Sequence, residues 1–144
     1  MKIHITVFAA AILLLSAAGA CKHTKYHKES ELPAKQIHWG TGGGFAGKET
    51  YHILLENGQI FKKEFIRGDS MMEVAGTKAR TAKALFKAAE AAGIDEMDFN
   101  HPANMYTFIG FSGKRVVWGD KNHSLPEPVD KLYKQLNDLV RTDR

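Results

Sequence analysis

Cysteine is all but missing from this chain. Cys21 is the only one in 144 residues, so no disulfide can form within it, and any folded domain must be stable on its packed core. A strong excess of one charge is missing too: 20 lysines and arginines against 16 acids give +4, with both signs scattered along the chain. That balance is too weak and too diffuse to mark a nucleic-acid binder. No paired groups for acid–base or nucleophilic chemistry stand out. The histidines at 38, 52, 101 and 123 show no His-x-x-x-His spacing, and Ser112 sits in Gly110-Phe111-Ser112-Gly113, not in Gly-x-Ser-x-Gly. The longest apolar run, Ile5 to Leu15, is broken by Thr6 and is too short to span a membrane as a mature helix.

What is present begins with that run. Met1-Lys2 is a basic start, the apolar stretch follows, and small residues lead to Cys21, which is the order of a secretory signal peptide. Ala18-Gly19-Ala20-Cys21 resembles the lipobox of bacterial lipoproteins and departs from it at Ala18, where leucine is usual. The resemblance implies cleavage after residue 20, acylation (palmitate among the chains) of Cys21, and a place in the bacterial cell envelope. There the outer membrane or periplasmic face is expected over the inner membrane. An ordinary signal peptide ending near a cysteine is the alternative. Removing residues 1–20 takes away Lys2 and no acid, leaving +3.

Residues 21–35 are polar, with almost no apolar periodicity, and are expected to be a flexible tether. Its basic residues could touch anionic headgroups. His23 and His27 lie four apart, but a disordered tether would not hold them in metal-binding geometry, and a closed zinc site needs four ligands.

Residues 36–144 are expected to form one domain. Gln36 to Gly40 is a short strand, followed by glycines at 42, 43, 44 and 47. From Phe45 to Leu55 the pattern alternates, with Phe45, Tyr51, Ile53 and Leu55 on one face and Glu49 interrupting it. Asn57-Gly58 signals a hairpin. A three-residue loop, Glu56-Asn57-Gly58, pairs Ile53 with Phe61 and gathers Tyr51, Ile53, Phe61 and Phe65 on one face. A two-residue loop would pair Ile53 with Lys62 instead, and a slip of one residue exchanges the faces, so the longer loop is favoured. Residues 67–76 read as a loop, and 77–92 as a helix with the stripe Ala82, Leu85, Phe86, Ala89, Ala92, closed by Gly93. Residues 94–104 read as a connector. Met105–Phe111 and Lys114–Trp118 form a second hairpin with apolar residues on both faces, the mark of covered strands. A helix over 125–140 follows, for which Ser124 and Glu127 fit a capping box. The expected fold class is α+β: an antiparallel sheet of about four to five strands with two helices on one face.

Gly42-x-x-x-x-Gly47-Lys48 has the outline of a phosphate loop. That chemistry needs Ser or Thr after the lysine and a helix after the loop; here Glu49 and an alternating strand follow. Asp95, Glu96 and Asp98 read as a solvated turn, because a calcium loop needs further oxygen ligands at set spacing. No metal or cofactor is implied. A glycine-rich loop ending in Phe45, beside strands ending in Trp39 and Trp118, suggests a rigid aromatic edge of the kind interfaces use as anchors. Close backbone packing at a sheet corner is the plainer reading of the same glycines.

Gly43-Gly44-Phe45-Ala46-Gly47, the central helix, the Tyr106 strand, Val116-Val117 and the final Leu125-Pro126 helix with Leu132 and Leu136 together resemble the emfourin family, small bacterial inhibitors of thermolysin-like metalloproteases such as protealysin. The order of elements corresponds over residues 37–140, and the glycine string is the recognisable motif. The chain departs in its longer first hairpin and its lipoprotein-like leader. It also looks similar to small lipoproteins of Bacteroidetes-type bacteria with no assigned role. The emfourin resemblance implies a non-catalytic, protein-binding module, and the aromatic edge gives its expected contacts: Gly43, Gly44, Phe45, Ala46 and Gly47, with Trp39 and Trp118 beside them. The expected partners are the membrane, through the lipid, and a protein such as a protease; nucleic acid is not expected. The competing reading is a structural or small-molecule-binding envelope protein with a cleft between sheet and helices, lined by Phe108 and Leu132.

Overall fold

The computed structural model describes residues 25–65 and 70–141. The leader, Cys21 and His23 lie outside these residues, as does most of the segment joining the third and fourth strands. The strands are β1 (Ile37–Gly43), β2 (Thr50–Leu54), β3 (Ile60–Glu64), β4 (Ser70–Val74), β5 (Asn100–His101), β6 (Met105–Phe111) and β7 (Lys114–Trp118), and the helices are α1 (Ala79–Ala91) and α2 (Glu127–Arg141). The fold is α+β, and its sheet has seven strands in the order β4-β3-β2-β1-β6-β7-β5, more than the expected four to five. All pairings are antiparallel except that of β5 with β7. The two additional strands arise where polar or proline-flanked sequence read as loop. Ser70–Val74 pairs along β3, and the two-residue β5 lies along β7.

Alternation along each strand divides the sheet into two faces. Ile37 and Trp39 of β1, Leu54 of β2, Ile60 of β3, and Ile109, Phe111 and Val116 of the second hairpin point to the helices. Both helices pack on this face, through Leu85 and Phe86 of α1 and Leu132 and Leu136 of α2. Phe86 meets Phe111 edge-on at 5.9 Å. A fully buried aliphatic or aromatic side chain contributes about 1.5–3 kcal/mol, so this layer holds most of the stability.

The other face carries a smaller cluster of Ile53, Leu55 and Phe61. Its three members come from the first hairpin in the register of the longer loop: Ile53 opposes Phe61 and Tyr51 opposes Lys63. The Leu55 and Gly58 amides close the turn on the Gln59 and Leu55 carbonyls at 3.0 and 2.9 Å.

Residues 25–35 do not hang free as a tether. They lie on the open face as a strap: Leu32 packs on Ile53, Leu55 and Phe61, and the Gln59 amide bonds both the N–H and the carbonyl of His27 at 2.7 and 2.9 Å. Lys35 closes the strap with ion pairs to Glu56 at 2.9 Å and Glu90 at 3.1 Å.

Helix α1 ends as its glycine requires. Gly93 takes φ +66°, its amide reaches the Glu90 carbonyl and that of Ile94 the Ala89 carbonyl, which is a Schellman closure. Helix α2 starts at Glu127, with the Pro126 carbonyl accepting from Val129 and Asp130. Ser124 therefore stands two residues too early to cap it, and the expected capping box does not form. No described helix is long and apolar enough to cross a membrane.

Candidate functional site

The glycine segment is the turn between β1 and β2. Strand β1 extends to Gly43, opposite Met105 of β6, while β2 begins only at Thr50, opposite Thr41. Phe45, expected at the start of the alternating strand, is instead at the tip of the turn. Gly43 has φ +99°, and a side chain there would place Cβ 2.1 Å from the Asn104 carbonyl oxygen. The backbone must pass this close because the Gly44 amide donates to that same carbonyl at 2.7 Å, which docks the turn on the β5–β6 connection. The Gly47 amide then bonds the Gly44 carbonyl at 3.1 Å.

The turn throws Phe45 into solvent. Its fractional exposure is 112 %, the highest of the large apolar side chains among the described residues, and Met105 beside the turn is 58 % exposed. Burying one such ring contributes about 1.5–3 kcal/mol, so an aromatic held wholly in water retains that gain for association.

Beneath the tip, the base of the turn is braced on both sides. Lys48 donates to the Phe65 carbonyl at 3.1 Å on the β3 side. On the β6–β7 side Glu49 accepts from the Tyr106 hydroxyl and from Arg115, each at 2.8 Å. The Arg115 guanidinium lies over the Phe108 ring, 3.7 Å from its centroid. His38 completes this layer, packed across Gly110, where a Cβ would come 2.0 Å from the imidazole Nε2. Burial works to raise the Glu49 carboxyl, but the bonds from Arg115 and Tyr106 outweigh it and hold the group below its ordinary 4.5. Burial pushes the His38 imidazole down, and the Arg115 charge pushes the same way. The Tyr106 hydroxyl is raised, chiefly by its bond to Glu49. A neighbouring depression of about 510 Å³ is bordered by Glu49, Asp98, Asn100, Tyr106 and Arg115.

Of the residues singled out in the sequence, Gly43, Gly44, Phe45, Ala46 and Gly47 form one contiguous surface tip. The two tryptophans do not join it. Trp39 shares its strand parity with Ile37 and so points under the helices, 0 % exposed, stacked on His52 at 5.3 Å. Trp118 lies on the same helix-bearing face and meets Tyr133 of α2 edge-on at 5.0 Å. Both are core residues, and the rim expected of them is supplied by Met105. Phe108 and Leu132 are on opposite faces of the sheet, so no cleft is lined by both. The segment after Lys48 runs into strand β2, and the lysine is engaged by Phe65. No group of three potential metal ligands occurs among the described residues.

The brace of Glu49, Tyr106 and Arg115 was not read from the sequence. Its one visible sign was Glu49 itself, an acid in an apolar slot of an alternating stretch. No known family's model matches the chain, and no curated protein matches it.

Proposed function

We propose that this protein is a cell-envelope lipoprotein, anchored through Cys21, whose domain binds another protein through the Gly43–Gly47 tip and carries out no catalysis. The observation that carries the reading is Phe45: an aromatic ring wholly in solvent, on a turn fixed by backbone bonds and braced at its base. A pre-ordered anchor loses little entropy on docking, which is how small interfaces reach useful affinity. The emfourin resemblance gives the partner class, a thermolysin-like metalloprotease, with the tip entering the protease cleft.

The test is direct. The protein is incubated with a thermolysin-type protease, and residual activity and complex formation are measured. Inhibition that Phe45→Ala weakens supports the reading; neither inhibition nor a complex at micromolar concentrations would overturn the protease assignment. Crosslinking in the native envelope from a photoreactive residue at position 45 then names the partner or, if nothing is captured, removes the binding tip itself. Acylation is read from the mass of the Cys21 peptide, with Cys21→Ser as control.

A further inference from the structure

The outward side of α1 is a basic strip. Arg80, Lys83 and Lys87 fall at i, i+3 and i+7 and so share one face, and Lys78 stands just before the helix. All four are exposed. None forms an ion pair among the described residues, and the one acid in the helix, Glu90, is already held by Lys35. Ala84 lies among them and leaves a shallow trough of about 500 Å³ bordered by Arg80, Lys83 and Lys87. No acid stands in the first turn and no side chain caps it, so the positive end of the helix adds to the field of these side chains.

The position of this strip is informative. Lys25, the first described residue, borders a depression of about 290 Å³ together with Ala79 and Lys83. The preceding chain therefore enters the fold beside the basic strip. Cys21 is four residues before Lys25, at most about 14 Å of extended chain. An acyl group on Cys21 would thus hold a bilayer within reach of α1. The glycine turn is at the far end of the sheet. The Asn57 side chain bonds the Lys25 carbonyl at 2.8 Å, and the Thr77 amide leading into α1 bonds Gly58 at 2.8 Å, which puts both at the Ile37 end of β1. Gly43, at the other end, is separated from Ile37 by roughly 20 Å at the rise of a strand.

We propose that the basic face of α1 is a docking surface for an anionic phospholipid bilayer, so that the domain stands on its helix and holds Phe45 away from the membrane. The proposal rests on the lipid-anchor reading, which supplies the bilayer. An extended anionic surface suits a row of flexible lysines and an arginine spread over two turns, since bilayer headgroups need no fixed geometry.

The experiment uses the full chain as purified from cells, mixed with vesicles of phosphatidylcholine alone or with one-third phosphatidylglycerol. An amine-reactive reagent is applied and labelled lysines are quantified by peptide mass. Labelling of Lys78, Lys83 and Lys87 is expected to fall about fivefold on the anionic vesicles relative to the neutral ones, with Lys121 unchanged, and half-molar salt should restore it. In the double variant Lys83→Glu/Lys87→Glu, protection of Lys78 should disappear while the circular dichroism spectrum is unaltered. Equal labelling on both vesicles, with Cys21 acylated, would overturn the docking face alone. Salt-sensitive protection with an unacylated Cys21 would overturn the anchor and leave the face standing, and neither acylation nor protection would overturn both. Tighter binding of duplex DNA than of anionic vesicles, lost in the same variant, would reassign the face to nucleic acid and overturn the bilayer.

Discussion

Phe45 and Gly43 sit two residues apart and answer to different forces. Phe45 contacts water, so its replacement by alanine removes nothing from the fold: Phe45→Ala should keep folding stability within about 0.5 kcal/mol of the parent. If the ring is the anchor of an interface, the same change should weaken partner binding by at least tenfold, the effect of removing an anchor worth about 2 kcal/mol or more. Titration calorimetry against the crosslinked partner, together with a urea melt, reads both numbers. Gly43 behaves in reverse. At φ +99°, with the Asn104 oxygen where Cβ would go, Gly43→Ala must move the turn off the β5–β6 connection. A cost of ~2 kcal/mol or more is expected in the urea melt, from positive φ and collision together. If the tip is the interface, binding then weakens because the tip is no longer held in place, although Phe45 is intact. A Gly43→Ala variant with unchanged stability would show that the turn is not fixed by that carbonyl.

At the scale of elements, the second hairpin and the two helices were legible in the sequence, and the reasons are local. Strands β6 and β7 carry apolar residues on both faces and are parted by the turn residues Ser112-Gly113, so their bounds could be read; the structure puts both turn residues at positive φ and Phe111 opposite Lys114. The register of the first hairpin followed from a choice of loop that kept Ile53 opposite Phe61. Its orientation did not follow. The stripe Tyr51, Ile53, Phe61 faces away from the helices, and Leu54 with Ile60, one step out of phase, supplies the main core. Alternation gives two faces but not which one is roofed. Strand β4 was hidden because Ser70 to Val74 has no strong β-formers except Val74, and its place depends on pairing with β3. The glycine turn was visible; the brace beneath it was not, since Glu49 is 57 residues from Tyr106 and 66 from Arg115.

That brace predicts a pH dependence. Glu49 is held below its ordinary 4.5 in the fold, so the folded state binds fewer protons there than the unfolded chain. Its contribution is present above about pH 4.5 and declines as the pH falls through the depressed value. His38 is also depressed, from an ordinary 6.5, so the fold favours its neutral form; stability is full above that value and declines as acid protonates the unfolded chain preferentially. The urea midpoint should therefore fall in two stages on acidification, first below pH 6.5 and again below pH 4.5. His52, lowered chiefly by burial, adds to the first stage, so His38→Gln and His52→Gln together should remove it, whereas Glu49→Gln should flatten the second and, by taking away the charge that raises His38, deepen the first. A single stage unaltered by Glu49→Gln would mean that Arg115 and Tyr106 do not hold a carboxylate.

For the whole molecule, the decisive feature is that residues 25–35 are laid down rather than left loose. The sequence gives no hint of this, because the strap has almost no apolar residues of its own apart from Leu32. Its hold comes from Gln59, a buried polar side chain only 7 % exposed. The Gln59 carbonyl oxygen accepts from the His27 amide and from Asn57, and its amide nitrogen donates to the His27 carbonyl and to Glu73 at 3.3 Å. Tyr26 also reaches Glu73 on β4. Every polar atom of Gln59 is thus engaged, as a buried amide requires. The strap therefore spans the first hairpin and fixes where the chain enters the fold at Lys25. Gln59→Leu keeps the volume and removes the polar partners of His27, at a cost of about 1–3 kcal/mol for the groups left unmatched. Hydrogen exchange followed by mass spectrometry should show the amides of 26–35 exchanging at least tenfold faster in that variant. Those of β6, enclosed between β1 and β7 in the sheet, should change only as far as global stability does. If the strap came free while protection of α1 on anionic vesicles persisted, the basic face alone would suffice to orient the domain. If protection was lost with the strap, the docking proposed for α1 would depend on where Lys25 enters the fold.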